Sequence, residues 1–142
     1  MFIIVNQFRK PLYAIRKINS PGRANWEIYC QLCRYIHQEL GPGLLEKVYE
    51  VCLSHEIRNL GFDVRRQIDI PIKYDGIVFN EGLRLDLLVA EKVIVEIKAV
   101  DMVNPVWQAQ VLSHLKLTGH RLGYLINFNV PLRKDGIKRI IL

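Results

Sequence analysis

From Asn25 the segment NWEIYCQLCRYIHQEL sets Trp26, Tyr29, Cys30, Cys33, Ile36, His37 and Leu40 three or four residues apart. That repeat is the one an amphipathic helix makes, with Asn25 as its N-cap. Gly41-Pro42-Gly43 stops it, because glycine suits a left-handed C-terminal position and proline cannot continue a helix. A second helix is expected from about Leu44 to Asn59. It carries Leu45, Val48, Cys52 and Ile57 on or near one face, Glu46 in its first turn, where the helix dipole favours an acid, and Gly61 at its end.

After Gly61 the period falls to two. Ile68, Ile70 and Ile72 alternate with polar neighbours, Pro71 suggests an edge position, and Asp75-Gly76 marks a turn. Strands near Val64 to Tyr74, Leu83 to Val89 and Val93 to Ala99 are expected to form a meander. Asn104-Pro105 then opens a third helix, from Pro105 to about Thr118, closed by Gly119. RLGYLINFN, residues 121 to 129, is almost wholly apolar, like a strand covered on both faces, and GIKRIIL supplies a last strand. Pro11, Pro21 and Gly22 break any pattern in residues 1–24, an irregular extension ahead of a single domain at 25–142.

The run RLDLLVAEKVIVEIKA, residues 84–99, places Asp86, Glu96 and Lys98 in strands that otherwise look buried. Neighbouring side chains on a strand face opposite ways, so the connecting loop decides which charges meet. A two-residue turn at Glu91-Lys92 would put the two acids on opposite sides. A three-residue loop, Ala90 to Lys92, sets Asp86 across from Glu96. This second register gathers Leu83, Leu85, Leu87, Val89, Val93, Val95, Ile97 and Ala99 on one side, and Arg84, Asp86, Glu96 and Lys98 on the other, with Leu88 and Ile94 alongside. Two readings of that charged side are open. One is an ion network on a solvated face, worth a few tenths of a kcal/mol per pair. The other is a divalent-metal site, since two carboxylates so close repel unless a proton or a cation lies between them. In that case the lysine orients or deprotonates a water, or stabilises charge on a phosphate.

Charge and cysteine content alter the picture little. The formal net charge is +6 and the pI about 9.4, which favours polyanions without defining a site. The basic residues group loosely at Arg9, Lys10, Arg16, Lys17 and Arg23, at Arg65 and Arg66, and at Arg133, Lys134, Lys138 and Arg139. Three cysteines and no recognisable export signal suggest a reducing, cytoplasmic setting. No run approaches the roughly 18 to 20 apolar residues of a membrane helix, so no membrane role is expected. Cys30, Cys33 and His37 have a C-x2-C-x3-H spacing, but a zinc site needs a fourth ligand and usually a looped first pair, so core packing is the simpler reading.

The segments ELGPGLLEKVYE, RLDLLVAEKVIVEIKAV, PVWQAQVLSHLKLTG and RLGYLINFNVPL, in that order, resemble the signature blocks of the GxxExxY proteins of the PD-(D/E)XK nuclease superfamily. The name motif corresponds to Gly43, Glu46 and Tyr49, and the resemblance runs from about Trp26 to Leu142. It implies an α/β, restriction-endonuclease-like core, a central mixed β-sheet flanked by α-helices. It also implies hydrolysis of DNA phosphodiester bonds with Mg2+ or Mn2+ held by Asp86, Glu96, the main-chain carbonyl of Ile97 and Glu46. Lys98 would be the ExK lysine, and Gln110 the glutamine of the following helix. Trp107 and His114 depart from the family pattern, which often has histidine and tyrosine there. Arg84, His114, Lys138 and Arg139 are candidates for nucleic-acid contact, Arg84 because its planar fork suits phosphate. A homodimer would fit an enzyme that cuts two strands. The alternative is a catalytically silent nuclease fold that binds nucleic acid or a protein.

Overall fold

The computed structural model describes Met1, residues 26–130 and residues 136–142. The N-terminal basic clusters, the Asn25 cap, Arg133 and Lys134 lie outside the described residues. The elements are α1 (Trp26–Leu40), α2 (Glu46–Asn59), β1 (Val64–Asp69), β2 (Ile72–Tyr74), β3 (Ile77–Phe79), β4 (Arg84–Val89), β5 (Val93–Lys98), α3 (Val106–Thr118), β6 (Leu122–Asn127) and β7 (Ile137–Ile141). Five strands form one sheet in the order β1-β4-β5-β6-β7. Only the β5–β6 pair is parallel. It is joined by α3, because a parallel pair needs a crossover and a helix is the usual one. The expected mixed sheet flanked by helices is therefore present.

Two apolar layers cover the sheet. On one face Tyr29, Leu32, Cys33 and Ile36 of α1 and Tyr49, Leu53 and Ile57 of α2 pack with Leu87, Val89, Val95, Ile97, Tyr124 and Ile126. On the other, Val111 and Leu115 of α3 pack with Leu85, Leu88, Ile94, Leu125 and Ile140. Cys30, Cys33 and Cys52 are free thiols, and burial pushes the pKa of each up. Among the described residues no three His, Cys, Asp or Glu side chains gather to hold a metal. Cys30 and Cys33 are core residues here.

Several boundaries differ from the pattern of the sequence. The stretch 64–74 is two strands, because Pro71 has no N–H for the ladder, and β2 pairs only with β3 in a separate hairpin. The buried side of α2 is Tyr49, Glu50, Leu53, Ser54 and Ile57, whereas Leu45 and Val48 are exposed. The aliphatic residues suggested a different face, but Tyr49 settles it: its ring stacks on Phe128 with centroids 4.5 Å apart. Its hydroxyl donates to Gly41 O at 2.6 Å and accepts Leu44 N–H at 3.2 Å. The third helix keeps its expected ends. Asn104 Oδ1 accepts Val106 N–H at 3.0 Å, and Gly119 closes the helix at φ +74°.

The β4–β5 register is the three-residue-loop one, with Leu87 opposite Val95 and Val89 opposite Val93. Ala90 and Glu91 take left-handed φ values of +51° and +53°, and Lys92 N–H bonds Val89 O at 3.0 Å. Strict alternation along β4 fails at one point. Leu87 and Val89 face α1 and α2, but Leu85 joins the α3 layer. Its partner strand does the same, with Val64 in the first layer and Ile68 against the second. Gln67, between them in β1, has φ +49°, a conformation costing a non-glycine residue roughly 1–2 kcal/mol. One left-handed residue reverses which way the following side chains point.

Helix α3 approaches the sheet closely at Gly123, where an added Cβ would sit 2.8 Å from Val111 Cγ1. Val111 is fully buried and stiff at χ1. Gly123→Ala should therefore lift α3 and destabilise the fold by roughly 1–3 kcal/mol, read as a lower urea midpoint with an unchanged m-value.

Candidate functional site

The site forms where β4 and β5 part. Their pairing stops at Leu87–Val95. One residue further Asp86 faces Glu96, and the carboxylate of Asp86 replaces the missing ladder bond by accepting Ile97 N–H at 2.8 Å through Oδ2. Burial raises the Asp86 pKa, with Glu50 and Glu46 pushing the same way and the Ile97 N–H and Lys98 opposing. Glu96 is buried, and desolvation followed by the charge of Asp86 pushes its pKa up to about 7.

Lys98 partly offsets this. Its ammonium lies 3.4 Å from Glu96 Oε1 and 5.8 Å from the centroid of Trp107, an aromatic face that favours a cation. The other oxygen, Glu96 Oε2, is buried without a hydrogen-bond partner, and so is His114 Nδ1. These two atoms stand 3.8 Å apart, too far for a hydrogen bond. Burial and Lys98 both lower the His114 pKa, so the contact is not an ion pair at neutral pH.

Of the residues singled out in the sequence, Asp86, Glu96, Lys98 and His114 come together. Glu46, the first residue of α2, acts electrostatically on both acids. Gln110 and His114, one turn apart on α3, share the wall of a cavity of about 460 Å³ with Asp69, Asn80, Glu81 and Arg84. Arg84 is paired elsewhere than with Asp86 or Glu96. It is exposed and holds Asp69 through Nε at 2.7 Å, the carboxylate pairing that competes with phosphate contact. Strand alternation separates Lys138 from Arg139. Lys138 stands beside Trp107 and Leu125, while Arg139 acts on Tyr124 of the opposite layer.

Four further residues were not apparent in the sequence. Glu50, buried on α2, accepts from Arg66 Nε at 2.9 Å and from Gln67 Nε2 at 2.6 Å. Its spacing of four from Glu46 is the one available signal. Gln67 also stands 3.4 Å from Asp86 Oδ1. Asn127, hidden in an apolar run, bonds both the N–H and the carbonyl of Val100, joining the end of β5 to β6. Asn129 Oδ1 accepts Gly43 N–H at 2.8 Å, fixing the turn from which α2 and Glu46 start.

A model of the PD-(D/E)XK nuclease superfamily matches residues 25–140. The chain belongs to this superfamily. No curated protein and no solved structure matches it. Among the described residues no helix is long and apolar enough to cross a membrane. Superfamily members generally use divalent metals, and the acid pair fits one. Two desolvated carboxylates repel each other, and one has an oxygen with no hydrogen-bond partner. A cation between them would relieve both costs.

The raised Glu96 pKa has a signed consequence. Below about pH 4.5 the group is protonated in folded and unfolded chains alike. Between there and about pH 7 the unfolded chain releases the proton while the folded one retains it, so stability falls across that window. Glu96→Gln should remove the loss. With no divalent ion present, the variant should match the native chain near pH 4 and exceed it at pH 8 by on the order of 2–3 kcal/mol, measured by denaturant titration at both pH values.

Proposed function

We propose that the protein is a metal-dependent nuclease that hydrolyses DNA phosphodiester bonds. The observation that carries this reading is the meeting of Asp86, Glu96 and Lys98 at the strand split, a buried acid and a half-buried one that repel each other, with an ammonium beside them. Asp86 and Glu96, with the Ile97 carbonyl, would hold Mg2+ or Mn2+, and Glu46, which does not gather with them into a three-ligand cluster, would join by a side-chain movement. Bound there, the ion supplies a Lewis acid beside the phosphate and makes a water easier to deprotonate. Lys98, restrained by Glu96 and Trp107, directs its charge at the phosphate or the attacking water. Gln110 and His114 line a cavity whose walls include neither Asp86 nor Glu96; His114 alone reaches Glu96, and from there the two would orient the substrate strand, while Lys138 adds positive charge on the Trp107 side.

Within the superfamily we assign the chain to the GxxExxY proteins. The contacts of the motif support this: Tyr49 ties the Gly41 carbonyl to the Leu44 amide, and so sets the turn that delivers Glu46 to the head of α2. Residues 25–142 would then be one nuclease-like domain with residues 1–24 as an addition. Two copies would pair to cut both strands, and three free cysteines suit a reducing cytoplasm.

Linear, circular, single-stranded and four-way DNAs incubated with Mg2+ or Mn2+ test the activity. Asp86→Ala and Lys98→Ala should each lower cleavage at least a hundredfold while keeping the folded spectrum. Full cleavage by either variant removes the assignment. Calorimetry should show Mn2+ binding that Asp86→Ala abolishes; a chain that binds DNA but no Mn2+ would instead be a silent binding module.

A further inference from the structure

Gln67 is the one described residue inside a strand, outside the turns, that combines a side chain with left-handed backbone. Its position coincides with the site. Arg66–Leu87 and Ile68–Leu85 are paired on either side, yet the Gln67–Asp86 step between them is missing from the ladder. Strain at a single non-glycine residue persists only where the surroundings hold it, and such residues cluster at functional sites.

The side chain shows what holds it. Gln67 Nε2 donates to Glu50 Oε2 at 2.6 Å and stands 3.4 Å from Asp86 Oδ1. Glu50, itself buried, is neutralised from the other side by Arg66. A carboxamide is a neutral donor with two N–H bonds, so it serves two acceptors without adding charge. With Ile97 N–H on Oδ2, both oxygens of Asp86 are then addressed by donors, one from each neighbouring strand.

We propose that Gln67, braced by Glu50 and Arg66, is a positioning residue that fixes the rotation of the Asp86 carboxylate and so presets it for a divalent cation. The proposal rests on the metal-site reading above. It names a glutamine on the sheet's edge strand, aimed by a strained backbone, as an outer partner of a ligating carboxylate. Outer partners of this kind typically carry a tenfold to hundredfold effect on metal affinity.

Two variants separate the amide from the backbone. Gln67→Gly keeps the left-handed conformation without strain and removes the side chain. Gln67→Met keeps the length and loses the donor. Calorimetric titration with Mn2+ at constant pH should show affinity lowered tenfold or more in both. Native affinity in either variant would overturn the proposal and leave the metal reading standing, whereas absence of Mn2+ binding by the native chain would overturn both. The native protein gives a readout independent of variant folding. On Mg2+ titration by NMR, the side-chain NH2 signals of Gln67 should shift together with the Ile97 amide, and an Ile97 shift with Gln67 unmoved would overturn the proposal.

Discussion

The bond from Ile97 N–H to the Asp86 carboxylate is the constraint on which the site depends. Two antiparallel strands normally continue to exchange main-chain bonds until a turn or an edge ends them. Here they separate within the sheet, and a side chain supplies the acceptor that the neighbouring strand no longer provides. A buried N–H left unpaired would cost about 1–3 kcal/mol, so the split is tolerated only because an acid occupies it. The acid meets a backbone need and stands in the opening at the same time.

This arrangement concentrates negative charge where water is largely excluded. Burial raises the pKa of both Asp86 and Glu96, the charge of Asp86 raises that of Glu96 further, and Glu46 adds to both. The protein partly balances this from three directions: Lys98 beside Glu96, Arg66 on Glu50, and the neutral amide of Gln67. Lys98 does not cancel the pair. The remaining deficit makes the acid pair a candidate cation site, whereas an exposed ion network would be screened by solvent and have little preference for a bound ion.

The elements around the split hold it at both ends. Asn127 joins the end of β5 to β6 through Val100. Tyr49 and Asn129 secure the turn before α2, so Glu46 approaches from a fixed helix end. On the far side α3 is held against β6 at Gly123, which brings Trp107 and His114 up to Lys98 and Glu96. Helices on both faces thus converge on one break in the sheet.

Periodicity by itself determined most of the architecture: three helices with their glycine ends, the apolar β6, and the loop length that sets Asp86 across from Glu96. These are local properties, since a repeat of two or of three to four residues decides which side chains share a face. The same reasoning assumed unbroken alternation and so put Leu85 with Leu87. It also chose the α2 face from its aliphatic residues. Only the tertiary structure decided those points, because the left-handed turn at Gln67, the stacking of Tyr49 on Phe128 and the burial of Glu50 against Arg66 each depend on a partner distant in the chain. A pattern within one segment carries no information about a partner that arrives from another.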